Sequence, residues 1–318
     1  MKIIAIDIGG SSIKSCLAKS VEDCVELILP VKTSPLLTKQ ISEIKEIIIN
    51  LCKEYLKAGA DPIIGISTAG SVDPNQVVIK AGNFVDYVNT DWAEILKKEF
   101  PEASITTAND GRSSAWGEYL SQEIKPTTHI HAVIGTGVGG GIVHKGELLL
   151  GESGQAGYIG HIKVLTSSNR VCGCGSTGCV ETLASARAVV LAYYEISEGE
   201  GLPEGLDFRQ LINSFDKDPD NITKALEQSG YWLGIALGNI MDALNPKQIT
   251  LGGGAMVATE SLIKDGHIDY NPYLRGVNRG IAYAAHSRVC AACDVKIGVL
   301  GNNAGLIGVS NLALAGES

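Results

Sequence analysis

The chain has 318 residues, 45% of them hydrophobic and 19% charged, with a formal net charge of -9 and eight cysteines. That length buries one large or two medium cores, and an acidic balance without a cluster of Lys or Arg argues against nucleic acid as the main partner. Residues 1–6 are too short an apolar run for a signal peptide and no later segment reaches the ~18 apolar residues of a membrane span, so a cytoplasmic protein is expected.

Residues 3–6 read as a buried strand, followed by a glycine turn and a second strand at 15–18. Apolar residues at 41, 44, 48, 51, 52 and 55 predict an amphipathic helix over 38–58, with Thr38 as its cap and Gly59 as its stop. Further helices are expected at 91–99, 111–122, 181–195 and 222–244. Residues 130–134, a turn at 135–141 and residues 142–150 repeat the strand-turn-strand plan of the N-terminus, which suggests a duplicated α/β unit. Both glycine turns resume as strand, whereas a P-loop or a dinucleotide fingerprint needs a helix directly after its glycines. Residues 198–220, rich in acid, Gly and Pro, read as a surface excursion.

His161 followed by Cys172, Cys174 and Cys179 offers one imidazole and three thiols at short spacing, a set that can close a tetrahedral zinc site. Glycines at 173, 175 and 178 let the chain turn tightly enough for the thiols to converge, and Glu181 follows two residues later, so the loop looks built to aim a carboxylate. Buried cysteines in a glycine-rich turn, or redox chemistry at the Cys-x-Cys pair, are the alternatives. Cys16, Cys24 and Cys52 read as packing residues in a reducing compartment, and Cys290-x-x-Cys293 as an incidental pair.

Several motifs in order carry a resemblance. Asp7-Ile8-Gly9-Gly10-Ser11-Ser12-Ile13-Lys14, Gly65-Ile66-Ser67-Thr68-Ala69-Gly70-Ser71-Val72-Asp73, Asn109-Asp110, the glycine run 135–141, Ala156-Gly157-Tyr158-Ile159-Gly160-His161, the cysteine loop with Glu181, and Gly252-Gly253-Gly254 together resemble the ROK family of repressors, open reading frames and kinases. The resemblance implies an α/β, actin-like ATPase (ribonuclease H-like) fold, with two lobes around a cleft. The small lobe would span 1–117, with a C-terminal helix at 303–318 packing back on it, and the large lobe 118–302.

The activity implied is that of an ATP-dependent, glucokinase-like sugar kinase acting on the 6-hydroxyl of a hexose or N-acetylhexosamine. Glucose, N-acetylmannosamine and N-acetylglucosamine are the sugar types in view. Asp110 would be the general base that takes the hydroxyl proton, although an Asn-Asp pair also fits a plain helix cap. Gly70, Asn83, Asn109, Asp110, Tyr158, His161 and Glu181 would line the sugar. Asp7, Gly9, Gly10, Ser11 and Lys14 would serve the magnesium-bound terminal phosphate, Gly135, Thr136 and Gly137 its other side, and Gly253 and Gly254 the adenosine end. Each glycine run taken alone also fits a hairpin turn. ATP, Mg2+ and a structural Zn2+ are the implied cofactors, a homodimer the implied assembly, and no membrane partner is expected.

One position departs from the family pattern: Tyr158 stands where relatives usually carry a glutamate directed at ring hydroxyls. A phenol cannot supply bidentate acceptance, so the identity of the sugar is open, unless Tyr158 is only a packing replacement. The runner-up function is a non-catalytic, sugar-sensing regulator acting through protein contacts. A DNA-binding regulator is not expected, because the first phosphate motif starts at residue 7.

Overall fold

The computed structural model describes residues 1–21, 24–82, 84–198 and 201–316. Asn83 lies outside the described residues, as does the side chain of Cys24. Two compact units are present: Met1–Lys125 with Gly141–Gly157 and Asn303–Ser318, and Pro126–Gly140 with Tyr158–Asn302.

In chain order the elements are β1 (Lys2–Ile8), β2 (Ser12–Val21), β3 (Cys24–Pro35), α1 (Ile41–Lys57), β4 (Ile63–Thr68), β5 (Ser71–Val72), β6 (Val78–Lys80), β7 (Val88–Thr90), α2 (Trp92–Lys97), β8 (Ser104–Asn109) and α3 (Asp110–Ser121). They continue with β9 (Thr128–Ile134), β10 (Val138–His144), β11 (Glu147–Leu148), α4 (Glu181–Ala184), α5 (Ala186–Ile196), α6 (Phe208–Asn213) and α7 (Pro219–Leu244). The chain ends through β12 (Gln248–Gly252), α8 (Gly254–Lys264), α9 (Pro272–Ala284), α10 (Ser287–Ala292), β13 (Asp294–Ile297) and α11 (Ala304–Ala315).

The first unit is built on the sheet β3-β2-β1-β4-β8, antiparallel between β1 and β2 and parallel across β1, β4 and β8. Alternate residues of β1 leave on opposite faces, and both faces are covered. Ile4, Ile6 and Ile8 join the core with Ile44, Ile48 and Tyr55 of α1; Ile3 clusters with Ala313, and Ala5 with Leu306, both on α11. Burying each large aliphatic side chain fully contributes roughly 1.5–3 kcal/mol, which explains why β1 reads as a continuous apolar run. The C-terminal helix α11 also crosses α3 at very short range: a Cβ on Gly308 would meet the Ser113 backbone, and one on Gly117 the Ala304 carbonyl. A small three-stranded sheet, β5-β6-β7, completes the unit.

In the second unit β9, β12 and β13 are parallel neighbours, and α7 and α9 pack with glycines at their crossing. A Cβ on Gly234 would meet the Val277 carbonyl, and one on Gly280 the Tyr231 carbonyl. Among the described residues no helix is long and apolar enough to cross a membrane.

Several local expectations are corrected. The first helix starts at Ile41, and its N-cap is Gln40 without a side-chain cap bond; Thr38 instead donates through its N–H and hydroxyl to Glu43, which also accepts the N–H groups of Leu37 and Lys39. The helix expected at 181–195 is broken at Ser185, whose side chain caps α5 by accepting the Ala188 N–H. The turn expected over 135–141 ends at Gly137, since strand resumes at Val138. The excursion at 198–220 contains α6, opened by a capping box between Asp207 and Gln210, and α7 begins earlier than expected, at Pro219.

Candidate functional site

The site residues of the first unit sit at the carboxyl ends of its parallel strands, where open α/β sheets bind ligands. Asp7 is the penultimate residue of β1, in register with Lys14 on β2 and Ser67 on β4. Ser67 donates its hydroxyl to Asp7 Oδ1 at 2.7 Å, and the first turn of α11 lies over the pair, since a Cβ on Gly305 would come within 3.4 Å of Asp7 Oδ1. Burial pushes the Asp7 carboxyl above its usual range, opposed by the Ser67 hydroxyl and the Lys14 charge. The turn after β1 is tight: the Gly9 N–H donates to the Ser12 carbonyl at 3.0 Å, and the Ser11 carbonyl accepts from Leu36. Gly10 lies between them in that turn.

Asn109 ends β8 and Asp110 opens α3. Asn109 is the cap of that helix, its Oδ1 accepting the Arg112 N–H at 3.1 Å. Its amide nitrogen donates to the Gly70 carbonyl at 2.8 Å and to Asp110 Oδ1 at 2.9 Å, and the Gly111 N–H donates to the same Asp110 oxygen at 2.8 Å. The cap and the base candidate are therefore one construction: Asn109 holds Gly70, the start of α3 and one oxygen of Asp110 together. Burial, then the nearby Asp7 charge, pushes Asp110 up to about 7 despite those donors. Gly70 has φ +104, and a Cβ there would collide with the Lys80 carbonyl and Ala81.

In the second unit the glycine turns end adjacent parallel strands. Gly135 donates its N–H to the Gly137 carbonyl at 2.9 Å, with Thr136 exposed at the tip. Gly253, with φ +90, precedes α8, and a Cβ there would meet the Ile134 carbonyl. Gly254 then starts the helix, so the two turns lie side by side. Glu181 opens α4, and its Oε2 accepts the Val138 N–H at 3.0 Å.

The four proposed metal ligands converge. One ligand atom from each of His161, Cys172, Cys174 and Cys179 lies within 4.8 Å of all the others. Cys172 Sγ is 3.6 Å from His161 Nδ1, and Cys174 Sγ is 3.6 Å from Cys179 Sγ. With metal–ligand bonds of about 2.0–2.3 Å, a tetrahedron has edges of roughly 3.5–3.8 Å, so the donor set fits zinc. Cys172 Sγ also lies 3.5 Å from Glu181 Oε1, which joins the loop to the carboxylate it was expected to aim.

Tyr158 precedes the 3-10 turn that ends at His161, and its ring meets the imidazole edge-on at 6.1 Å between centroids. The phenol oxygen is buried without a hydrogen-bond partner. Cys16 and Cys52 are buried, their thiols pushed up to about 12 by that burial, in keeping with packing roles.

The motif reading missed Ser67, although it lies inside a quoted motif. It also missed His129 and His131 on β9. Both imidazoles meet the Thr250 hydroxyl at 2.8 Å, and burial drives them down to about 4 and about 3. Their alternation along one strand face was the available signal.

A family model described as ROK family matches residues 3–315. Glucokinase of Halalkalibacterium halodurans is 28% identical, over 96% of this chain and 92% of its own. N-acetylmannosamine kinase of Shigella boydii is also 28% identical, over 81% of this chain and 84% of its own. A crystal structure of a ROK family glucokinase from Streptomyces griseus in complex with glucose and AMPPNP shares the fold with a TM-score of 0.81, at 24% identity, over 99% of this chain and 100% of that one.

Proposed function

The chain belongs to the ROK family, and from that premise we propose that it is an ATP-dependent sugar kinase acting on the 6-hydroxyl of a hexose or N-acetylhexosamine. The observation that carries this reading is Asp110: a carboxylate fixed through one oxygen and pushed up to about 7. A general base works best when its pKa is near the operating pH, and the cap of α3 is already supplied by Asn109.

Asp110 takes the proton of the sugar hydroxyl as that oxygen bonds to the γ-phosphorus of ATP; the bond from that phosphorus to the β-phosphate oxygen breaks, and ADP leaves. Asn109 positions Asp110 and contributes polar contact to the sugar beside Gly70. Asp7, held by Ser67, orients the metal-bound phosphates, while Lys14 and the amides of Gly9, Gly10 and Ser11 meet the terminal phosphate. Magnesium bound to the nucleotide supplies charge neutralisation. In the second unit Gly135, Thr136 and Gly137 serve the phosphates, and Gly253 and Gly254 the adenosine. Zinc held by His161, Cys172, Cys174 and Cys179 fixes the loop geometrically, and His161, Glu181 and Tyr158 offer sugar contacts, Asn83 completing the set. A homodimer belongs to the same reading, and light scattering tests it.

Coupled ADP release with ATP and a panel of glucose, mannose, fructose, N-acetylmannosamine and N-acetylglucosamine tests the activity. Turnover on at least one of these is expected. Binding of both sugar and nucleotide without turnover would replace the kinase with the sugar-sensing regulator.

A further inference from the structure

Three thiolates and a neutral imidazole around a divalent zinc leave one uncompensated negative charge. Cys179, which carries part of it, is fully buried, and a buried thiolate needs a donor or a countercharge.

Lys163 supplies both. Residues 162–164 run antiparallel to 178–180: Lys163 pairs with Cys179, the Val164 N–H donates to the Gly178 carbonyl at 2.9 Å and the Val180 N–H to the Ile162 carbonyl at 3.0 Å. This pairing sets the lysine beside the thiol. Its Nζ lies 3.1 Å from Cys179 Sγ and donates to the Thr177 carbonyl at 2.5 Å. The stem passes over Gly178, where a Cβ would lie 3.7 Å from Lys163 Cδ. Pinning a lysine costs side-chain entropy. Lys163 is an exposed residue, and two acceptors beside an anionic cluster offset the cost of holding it against the thiol.

We propose that Lys163 is a positioning residue of the metal site. Its ammonium donates to the Cys179 thiolate, neutralises the cluster and thereby slows zinc loss from the loop that carries Glu181. The proposal rests on the zinc reading of the four donors, and the experiment separates the two.

Elemental analysis of the wild-type protein comes first; a protein purified without chelator and holding no zinc overturns the metal site itself. Given about one zinc per chain, the rate of zinc transfer to a chromogenic chelator is measured for wild type, Lys163→Met, Lys163→Gln and Lys163→Arg. Loss of such an outer partner weakens metal retention on the order of 10–100-fold. Transfer is expected at least ~10-fold faster from the Met and Gln variants, and near the wild-type rate from the Arg variant, which keeps charge and donor. In cobalt-substituted protein the thiolate-to-metal absorption should move to longer wavelength in Lys163→Met, because an N–H donor lowers the energy of the sulfur lone pairs. A general loss of packing would shift neither that band nor be reversed by arginine. Wild-type transfer rates in the Gln and Met variants, or an unmoved cobalt band, overturn the proposal. If Lys163→Met does not fold, Gln and Arg carry the comparison.

Discussion

Glu181 fills the space that a side chain on Gly137 would need. A Cβ there would lie 3.1 Å from Glu181 Cδ and closer still to Oε2, the oxygen that accepts the Val138 N–H at 3.0 Å. Gly137→Ala therefore displaces the end of a flexible carboxylate rather than backbone. Folding should survive, with a melting temperature within about 2 °C of wild type. Sugar KM should rise roughly tenfold to a hundredfold, because a charge-assisted hydrogen bond contributes about 1.5–3 kcal/mol. A drop in melting temperature with unchanged KM would mean that the glycine serves the turn and not the carboxylate.

Asp110→Asn should keep sugar and nucleotide binding while kcat falls at least ~100-fold, since a general base acts in the transition state. In the wild type, kcat/KM should fall about tenfold per pH unit below about 7, where Asp110 is protonated. The carboxyl is raised from 3.8 unfolded to about 7 folded, so between those values the native state binds more protons and stability falls as pH rises. The stability cost is complete above about 7 and absent below 3.8. Asn carries no such charge, so the variant should melt higher than wild type at pH 8, with the difference vanishing near pH 4. Isothermal titration, pH–rate profiles and melts at both pH values check these three parts; near-wild-type turnover would leave Asp110 as a helix-opening residue that only accepts the Gly111 N–H and the Asn109 amide.

Cys174→Ser removes one of four donors whose ligand atoms lie within 4.8 Å of each other. The variant should hold less than about half the wild-type zinc after dialysis against a chelator, and both its melting temperature and its sugar affinity should fall. Zinc loss with unaltered sugar affinity would show that the loop holds its shape without metal.

The parts of this protein legible in its sequence are those written over short distances. The zinc donors fall within one loop, and the apolar repeat of α1 and the buried run of β1 report their own burial. Register does not: nothing local says that Asp7 faces Ser67, sixty residues on, because that pairing is decided by which strands become neighbours. Competition between nearby groups also defeats pattern reading. Glu43 collects three backbone donors ahead of α1, lowering its carboxyl to about 2, and so takes the place assigned to Thr38. Ser185 splits a helix whose apolar periodicity continues through it, because a serine that accepts the Ala188 N–H ends one turn and starts another. The strands of β5-β6-β7 span only two or three residues each, too short for any periodicity.

Tyr158 offers the sharpest test of sugar choice. Its hydroxyl is buried without a partner, beside His161, and an unsatisfied buried polar atom costs about 1–3 kcal/mol unless a ligand satisfies it. Tyr158→Phe should therefore raise the melting temperature of the free protein while lowering kcat/KM for the preferred sugar, because the relieved cost and the lost contact are the same hydroxyl. Tyr158→Glu should shift preference towards glucose-like hexoses by roughly tenfold to a hundredfold in the ratio of specificity constants, if a ring hydroxyl reaches the carboxylate. Burial of that new charge opposes the gain. Specificity constants for glucose, mannose, fructose and their N-acetylamino counterparts are measured on all three proteins. A common factor across every sugar, with Phe stabilising and otherwise silent, would make Tyr158 a packing residue and move sugar choice to Glu181 and His161.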